Sequence, residues 1–243
     1  MSHLVNAEIP MLAEHRDFFI VHKPAGISVH QQGDINGLMT LLKAQLDTDS
    51  LWLVHRLDQV TSGCLIVARN KPTASQLGAQ FERREITKYY LALCDKRPKK
   101  RQGSVIGDLK KVRSGKWTLT RSQVNPSVTH FYDTGIGNGL RLQVLKPYTG
   151  QTHQLRVVLN SLGSTILGDS HYGGLQADRT YLHAWQIGFS LNGEDFHFHC
   201  LPDSGEHFQT PEFLHKVSAI SPVAEHFSWP DSKLKRISGG SGA

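Results

Sequence analysis

The sequence predicts an α+β fold in which a mixed, mainly antiparallel sheet is flanked by helices. Short segments rich in β-branched, leucine and aromatic residues recur along the chain, as strands do. Only a few segments carry the apolar spacing of a helix. Turns that contain glycine or proline separate these segments. Many strands with few interspersed helices favour an antiparallel or mixed sheet over a wholly parallel one.

The first half of the chain alternates strands with two predicted helices. Asn36 suits the N-cap of a helix over 37–46, and Pro72 suits the first turn of a helix that ends near Arg84. In the strand that follows, alternation places Tyr89 and Tyr90 on opposite faces. A register shifted by one residue would exchange the two tyrosines. The predicted strands of this half are 18–22, 52–54, 64–68 and 88–93.

The second half of the chain is richer in strands. Apolar residues recur at helical spacing between Leu155 and Leu162, which predicts a helix that opens within 150–156 and packs this stripe inward. Gly163 is a natural end for that helix. A last helix is predicted to begin at Thr210-Pro211. The predicted strands of this half are 116–121, 127–133, 140–146, 181–190 and 195–200.

Size and composition are those of a globular protein. A chain of 243 residues can form one domain with a full core, and we assign residues 10–229 to it. Residues 230–243 end in a glycine- and serine-rich segment, for which we expect disorder. No apolar run approaches the roughly 20 residues of a membrane span. The three cysteines form no Cys-x-x-Cys pair, which favours reduced thiols and a cytoplasmic protein.

The charge balance favours a polyanionic partner. Lysine and arginine number 27 against 21 acidic residues, which gives a net charge of +6. Nucleic acid is the first candidate partner and an anionic membrane surface the second. Basic residues cluster between Lys96 and Lys116, either as a solvated loop or as a face for RNA, because clustered like charges repel unless a polyanion approaches. Lys99, Lys100 and Arg101 are the candidates for contact with the RNA backbone.

The segment from His55 to Gly63 is the most informative part of the chain. It places Asp58 in a charged, turn-rich stretch between two apolar segments that we expect to be buried strands. Burying an ionised carboxylate without a partner costs several kcal/mol, so this placement indicates a functional role for the charge of Asp58. The alternative is a surface loop in which Asp58 caps a turn that Ser62-Gly63 completes.

Six sequence blocks follow one another between about residue 18 and residue 200. They are Lys23-Pro24-x-Gly26 with His30, His55-Arg56-Leu57-Asp58-x-x-Thr61-Ser62-Gly63, Lys88-x-Tyr90, Gly150-x-Thr152-His153-Gln154-Leu155-Arg156, Leu167-Gly168-Asp169-x-x-Tyr172-Gly173, and Leu182-His183-Ala184. In this order they resemble the motifs of the RluA-type RNA pseudouridine synthases, and their number and order make the resemblance specific. The related RsuA type usually has glycine where this chain has His55.

The resemblance implies a pseudouridine synthase fold with a central active-site cleft, and an enzyme that acts on structured transfer or ribosomal RNA. Such an enzyme breaks the C1′–N1 bond of a uridine, turns the uracil over and rejoins it through C5. The reaction involves no redox change, so we expect no cofactor. We also expect no membrane association and a monomer.

The resemblance further implies a catalytic trio. Asp58 matches the aspartate that acts at the ribose, and Arg156 matches the arginine that pairs with it and stabilises its ionised form. Without that role, Arg156 would be an ordinary surface residue of its helix. Tyr90 matches the tyrosine that stacks near the base and is proposed to help remove the C5 proton, so we expect Tyr89, on the opposite face of the strand, to lie in the core. With a usual pKa near 10, tyrosine is a poor base unless its environment changes, so that second role is the weaker expectation.

Five residues of the matched motifs are candidates for substrate binding. The target base must leave its stack, and the guanidinium of Arg56 can fill the vacated space. His55 either contacts the RNA backbone or holds its loop in place. Leu155 either forms an apolar floor under the flipped uracil or packs as an ordinary helix residue. Thr61 and Gln154 complete the set.

The chain departs from the family pattern in two respects. Many relatives carry arginine where this chain has Gln151, which removes one cation from the expected RNA face. The first motif lies close to the start of the sequence, so we expect no S4 RNA-binding domain before it. The catalytic domain would then dock RNA itself.

Other functions fit parts of the sequence less well. A zinc site would need His197, His199 and Cys200 together, but alternation on a strand turns Cys200 away from the two histidines, so we expect no metal. A non-catalytic RNA-binding protein would not need the catalytic trio. A hydrolase that cleaves the same glycosidic bond would release the base and leave an abasic site.

Overall fold

Ten of the described strands form one mixed sheet, and two more form a separate ribbon. The computed structural model describes residues 8–31, 33, 36–221, 227 and 229; the predicted disordered segment 230–243 lies outside them. The predicted α+β class is confirmed. The strands are β1 (Met11–Glu14), β2 (Phe18–Lys23), β3 (Trp52–Leu53), β4 (Ser62–Ala68), β5 (Thr87–Cys94), β6 (Gln102–Gly107), β7 (Leu109–Lys111), β8 (Trp117–Leu119), β9 (Ser127–Gly137), β10 (Leu140–Pro147), β11 (Leu182–Leu191) and β12 (Glu194–His199). The helices are α1 (Leu38–Gln45), α2 (Lys71–Glu82), α3 (Gln154–Ser161) and α4 (Pro211–Ala219).

The strand order in the main sheet is β1-β2-β4-β11-β5-β10-β9-β6, with β3 paired to β4 and β12 to β11. Among the described strands, β4 and β11 form the one parallel pair, and it lies in the middle of the sheet. Gly63 of β4 is opposite Ala184 of β11. A Cβ atom on Gly63 would lie 2.2 Å from the carbonyl oxygen of Ala184, so the two strands approach this closely only with glycine there.

Hydrophobic residues fill both sides of the sheet. Leu38 and Leu42 of α1 pack with β2 and β4 on one side, while Leu77 of α2 packs in a separate cluster that also contains residues of β2 and β4. The predicted apolar stripe of α3 is buried at Leu155, Val158 and Leu159, and half-buried at Leu162. Gly163 has a φ of +74°, as expected of a residue that ends a helix. No helix in the described part of the chain is long and apolar enough to cross a membrane.

One local expectation was wrong in detail. Gly37, not Asn36, is the N-cap of α1, and a Cβ there would lie 2.3 Å from the backbone of His30, so close packing decides where this helix begins. Helix α3 begins at Gln154, within the predicted range 150–156, after His153 in a left-handed conformation with φ of +56°. The basic segment is not a plain loop, because it contains β6, β7 and a 3-10 turn at Arg113–Gly115.

The cysteines are free and buried, in line with the expected thiols. Cys200 lies 3.2 Å from Cys64, measured between sulfur atoms, whereas His197 and His199 are exposed on β12. Cys200 therefore groups with interior residues and not with the two strand histidines. His183 beside it already has both ring nitrogens in hydrogen bonds, to the Ser62 hydroxyl and the Cys200 carbonyl.

Candidate active site

A cavity opens where the parallel pair β4–β11 meets the start of α3. Its volume is about 350 Å³, within the range of small-ligand sites. The loop before β4 forms one wall, β5 forms another, and the first residues of α3 close the far side. The lining side chains that concern the proposed chemistry are His55, Arg56, Asp58, Thr61, Lys88, Tyr90, Gln151, His153, Gln154 and Leu155.

Asp58 lies in the loop that leads into β4. Its side chain lines the cavity and is 20% exposed. Its carbonyl accepts a hydrogen bond from the Thr61 N–H, which closes a tight turn. The neighbouring Gln59 carbonyl accepts from the Gly26 N–H at 2.8 Å. The turn of the first motif therefore holds the Asp58 loop.

Lys23 strengthens that connection from inside the protein. Its buried ammonium donates to the carbonyls of Pro24, Ile27 and Gln59, at 2.8, 2.7 and 3.3 Å. Burial, followed by the charge of Arg179, lowers the pKa of Lys23 to about 7. Lys23 thus links the first motif to the Asp58 loop without entering the cavity itself.

Arg156 lies behind Asp58 and contacts two carboxylates. Its Nη1 is 3.7 Å from Asp58 Oδ2, whereas Nε and Nη2 donate to the two oxygens of Asp169, each at 2.7 Å. Burial alone would lower the pKa of Arg156, but the hydrogen bonds and charge of Asp169, with the charge of Asp58, raise it. Arg156 is not among the residues that line the cavity, so its contact is with the acid rather than with a ligand.

Asp169 is a site residue that sequence reasoning did not assign a role. It is 1% exposed and provides both oxygens to Arg156. Its position in the block Leu167-Gly168-Asp169 was the available signal, but spacing alone does not show which arginine it meets. Bidentate pairs of this kind fix the orientation of the guanidinium.

Tyr172 joins three parts of the site. Its ring centre lies 5.0 Å from the guanidinium carbon of Arg156, close enough for a cation–π contact. Its hydroxyl accepts a hydrogen bond from the Trp117 N–H of β8 at 3.1 Å, which leaves its own O–H for Nδ1 of His153 at 2.9 Å. Burial raises the pKa of Tyr172. The β7–β8 ribbon is thereby connected to the arginine behind Asp58.

Tyr90 lines the cavity from β5, and Tyr89 is buried in the core, as the resemblance and strand alternation together predicted. Burial and then the negative charge of Asp58 raise the pKa of Tyr90 well above its usual value. The phenol is therefore neutral at physiological pH, and it can stack or donate a hydrogen bond far more readily than it can accept a proton.

Gln154 fixes the start of α3. Its side-chain oxygen accepts from the Thr149 hydroxyl and the Gln151 N–H, at 2.7 and 3.0 Å. Its side-chain nitrogen donates to the Val128 carbonyl and the Thr129 hydroxyl, at 3.2 and 2.9 Å. The amide group is thus occupied within the protein. This network orients the first turn of the helix beside the cavity.

Leu155 and Gln151 are also positioned by this helix start. The Leu155 side chain is buried, lines the cavity and packs in the main hydrophobic cluster. Its role as a floor under a flipped uracil stays a prediction. Gln151 donates from its side chain to the Asn125 carbonyl at 2.9 Å. That bond ties the residue to the loop before β9.

The motif residues before Asp58 differ in exposure. Nε2 of His55 accepts a hydrogen bond from the Ile66 N–H at 3.0 Å, and its ring stacks on Phe81. Burial, with the charge of Lys88, lowers the pKa of His55 to about 3, so the ring is neutral. These contacts favour a role in holding the loop. Arg56 is exposed at the cavity wall, and Thr61 is buried.

The structure does not bring Lys99, Lys100 and Arg101 to the cavity. All three are exposed, and the Lys99 N–H donates to the carbonyl of Leu162 at the end of α3. The cavity lies at the opposite end of that helix, about 12 Å away along its axis. The basic β7–β8 ribbon is nearer, because Trp117 contacts Tyr172. The proposed RNA contact of the three residues stays a prediction.

Comparisons with known proteins all find similarity to RNA pseudouridine synthases. Residues 17–161 match the family model described as RNA pseudouridylate synthase. The chain is 45% identical over 212 residues to an uncharacterized RNA pseudouridine synthase of Haemophilus influenzae, covering 86% of this chain and 95% of that protein. It is 30% identical over 211 residues to ribosomal large subunit pseudouridine synthase C of Vibrio cholerae, covering 78% of this chain and 64% of that protein.

A solved structure shares the fold. Human RNA Pseudouridylate Synthase Domain Containing 1 superimposes with a TM-score of 0.71, covering 95% of this chain and 100% of that one. The sequence identity is 24%, so this likeness concerns the fold alone. The sheet and its flanking helices are thus arranged as in a pseudouridine synthase domain.

Proposed function

This chain belongs to the RNA pseudouridylate synthase family and is an isomerase, and we propose that Asp58 carries out its reaction on a uridine held in the cavity. The C1′–N1 bond breaks, the uracil turns, and C5 bonds to C1′. C5 then loses its proton and N1 gains one, so the product has the composition of the substrate. The observation that carries this assignment is the Asp58 carboxylate in the cavity wall, 3.7 Å from the Arg156 guanidinium.

The charges around Asp58 support its role. Two carboxylates, Asp58 and Asp169, share the one guanidinium of Arg156, so the ionised group of three carries one net negative charge. Asp169 holds the closer, bidentate contact, which leaves Asp58 the less neutralised acid. Attack on C1′, abstraction of the 2′-hydrogen and stabilisation of positive charge all need such a carboxylate facing the ribose. Arg156 is then a positioning residue.

The walls of the cavity suit a base that has been flipped out of RNA. Leu155 provides an apolar surface and Tyr90 an aromatic one, between which a uracil can stack. The raised pKa of Tyr90 favours stacking and hydrogen bonding over removal of the C5 proton. Arg56, exposed beside the cavity, fits the space that the base vacates. The lining is completed by three further motif residues, Thr61, Gln154 and His55.

The substrate is a structured RNA, with large-subunit ribosomal RNA the first candidate and transfer RNA the second. The Vibrio relative named for the ribosomal large subunit supports this order. The net charge of +6, the exposed ribbon and the residues Lys99, Lys100 and Arg101 would attract the backbone. The isomerisation is redox-neutral and uses no cofactor or metal. The enzyme acts as a monomer in the cytoplasm.

The test uses deproteinised total RNA from a strain that lacks the gene. Wild-type protein and the Asp58→Asn variant are incubated with it, and carbodiimide-reactive uridines are mapped. Wild type should restore pseudouridine at defined sites, while Asp58→Asn should restore none and still bind the RNA. Retained turnover by Asp58→Asn would overturn the catalytic assignment. An abasic site in place of pseudouridine would identify a hydrolase.

A further inference from the structure

Lys88 is a buried cation in the wall of the catalytic cavity. It lies two residues before Tyr90 on β5, so the alternation of the strand directs both side chains to the cavity face. Lys88 is 8% exposed. Two residues of extended strand span about 7 Å, so its backbone position lies beyond that of Tyr90, towards Phe81 and Glu82 of α2.

The ammonium of Lys88 has no anionic partner in the described part of the chain. Glu82 lines the same cavity. No described carboxylate lies within ion-pair distance of the Lys88 Nζ, which forms no hydrogen bond to a described residue, and burial alone shifts its pKa. It lies 5.4 Å from the centre of the Phe81 ring, and the neighbouring His55 is neutral. The other buried cations around the site are paired: Lys23 with three carbonyls and Arg156 with Asp169.

An unpaired buried ammonium is unfavourable for folding, and burial accordingly lowers the pKa of Lys88 to about 8. Apart from the cation–π contact with Phe81, the charge has no stabilising partner among the described residues that methionine of similar length would lose. A ligand that brings its own negative charge would gain from it. RNA offers full negative charge only on its phosphodiester groups, whereas the uracil carbonyls are neutral.

We propose that Lys88 binds a backbone phosphate next to the target uridine, inside the catalytic cavity. This inference rests on the proposed function, because the phosphate reaches Lys88 only if the target nucleotide enters beside Asp58. The flipped nucleotide is then held at two points, with the ribose near Asp58 and one flanking phosphate at Lys88.

The experiment compares Lys88→Met with wild type, using Lys88→Arg to retain the charge and Lys43→Met on α1 as the control for loss of a lysine elsewhere. The probe is the deproteinised total RNA described above, and the rate at the mapped sites is measured below saturation at several salt concentrations. Lys88→Met should melt at the same or a higher temperature than wild type. It should lose about tenfold in rate, the usual size of one charge-assisted hydrogen bond.

The salt dependence gives a second readout that packing would not change. Removal of one phosphate contact should reduce the slope of log rate against log salt by about 0.7 to 0.9. Lys88→Arg should keep the wild-type slope, and Lys43→Met should match wild type in both measurements. An unchanged rate and slope in Lys88→Met would overturn the proposal.

Two further outcomes are decisive. A lower melting temperature in both Lys88→Met and Lys88→Gln would show that the side chain supports the fold, and would also overturn the proposal. If Asp58→Asn is inactive while Lys88→Met matches wild type, the phosphate site fails and the catalytic assignment stands. If wild type itself modifies no RNA, the proposed function fails first.

Discussion

Arg156 donates two hydrogen bonds of 2.7 Å to Asp169, and its third nitrogen, Nη1, lies 3.7 Å from Oδ2 of Asp58. Because the two distances differ, the two acids have different roles. Asp169 fixes the guanidinium, and the guanidinium in turn faces the carboxylate that borders the cavity. The orientation of Asp58 therefore depends on a residue that does not line the cavity.

Asp169→Asn should damage both activity and stability. Asparagine keeps the shape of the side chain but removes the charge that holds Arg156, so the guanidinium can turn fully to Asp58 and neutralise it. We expect a loss of about 1–3 kcal/mol in the free energy of unfolding, measured with urea, and a marked fall in the rate of pseudouridine formation. The exposed Asp49→Asn is the matched control. Wild-type activity in Asp169→Asn would show that the bidentate contact does not orient Asp58.

Arg156→Ala should be more destabilising, because it leaves the buried Asp169 without a partner. Removal of one member of a buried ion pair costs about 3–5 kcal/mol. The double variant Arg156→Ala/Asp169→Ala should lose less than the sum of the two single variants, since it removes both charges together. Urea unfolding of the four proteins measures this coupling. Additive losses would contradict a direct interaction.

Tyr172→Phe removes only the hydroxyl that connects Trp117 and His153. The ring can still cover Arg156, so we expect a loss of stability of about 1 kcal/mol, the size of one hydrogen bond. The rate of isomerisation should fall by a larger factor than stability alone predicts, since the link between the β7–β8 ribbon and the site is lost. Tyr132→Phe, on β9, serves as the control. Equal behaviour of the two variants would argue against the link.

Stability should fall as the solution becomes acidic, partly through His183. Burial lowers the pKa of His183 to about 3, from an ordinary value of 6.5. Between these two values the unfolded chain binds a proton that the folded protein does not, so the folded state loses stability as pH falls through this window. One such group contributes at most about 1.4 kcal/mol per pH unit. Urea unfolding at several pH values should give a shallower slope for His183→Gln than for wild type, and the exposed His215→Gln should match wild type.

Two groups of basic residues can be compared for RNA binding. The triple alanine variant of Lys110, Lys111 and Arg113 alters the ribbon beside Tyr172, and that of Lys99, Lys100 and Arg101 alters the loop at the far end of α3. Both should bind RNA more weakly and with a flatter salt dependence. The ribbon variant should also lower the rate at saturating RNA, because it is connected to the site. An unaltered salt slope would mark the changed residues as merely solvated.

Local patterns predicted the parts of the site that depend on local rules. Alternation along β5 placed Tyr89 and Tyr90 on opposite faces, and helical spacing identified the buried stripe of α3. The resemblance implied that Arg156 pairs with Asp58, and the two side chains lie 3.7 Å apart. Each of these inferences needed only neighbouring residues or a motif.

Long-range pairing accounts for what the sequence left open. The partner of Arg156 lies thirteen residues further on, across a turn whose path no periodicity specifies. The sequence does not single out Lys88, because only the structure shows that no described carboxylate lies near its ammonium. Asn36 was a reasonable cap by propensity, but the contact of Gly37 with the backbone of His30 set the helix start instead.

The tight crossing at Gly63 has a bearing on how mutational scans of this enzyme should be interpreted. A methyl group at that position has no room beside Ala184, so alanine there would push β4 away from β11 and shift Asp58, five residues upstream. An activity screen would therefore classify position 63 as essential, although Gly63 contacts neither the RNA nor the reacting atoms in the proposed reaction. The failure of the alanine variant would report on spacing rather than on chemistry.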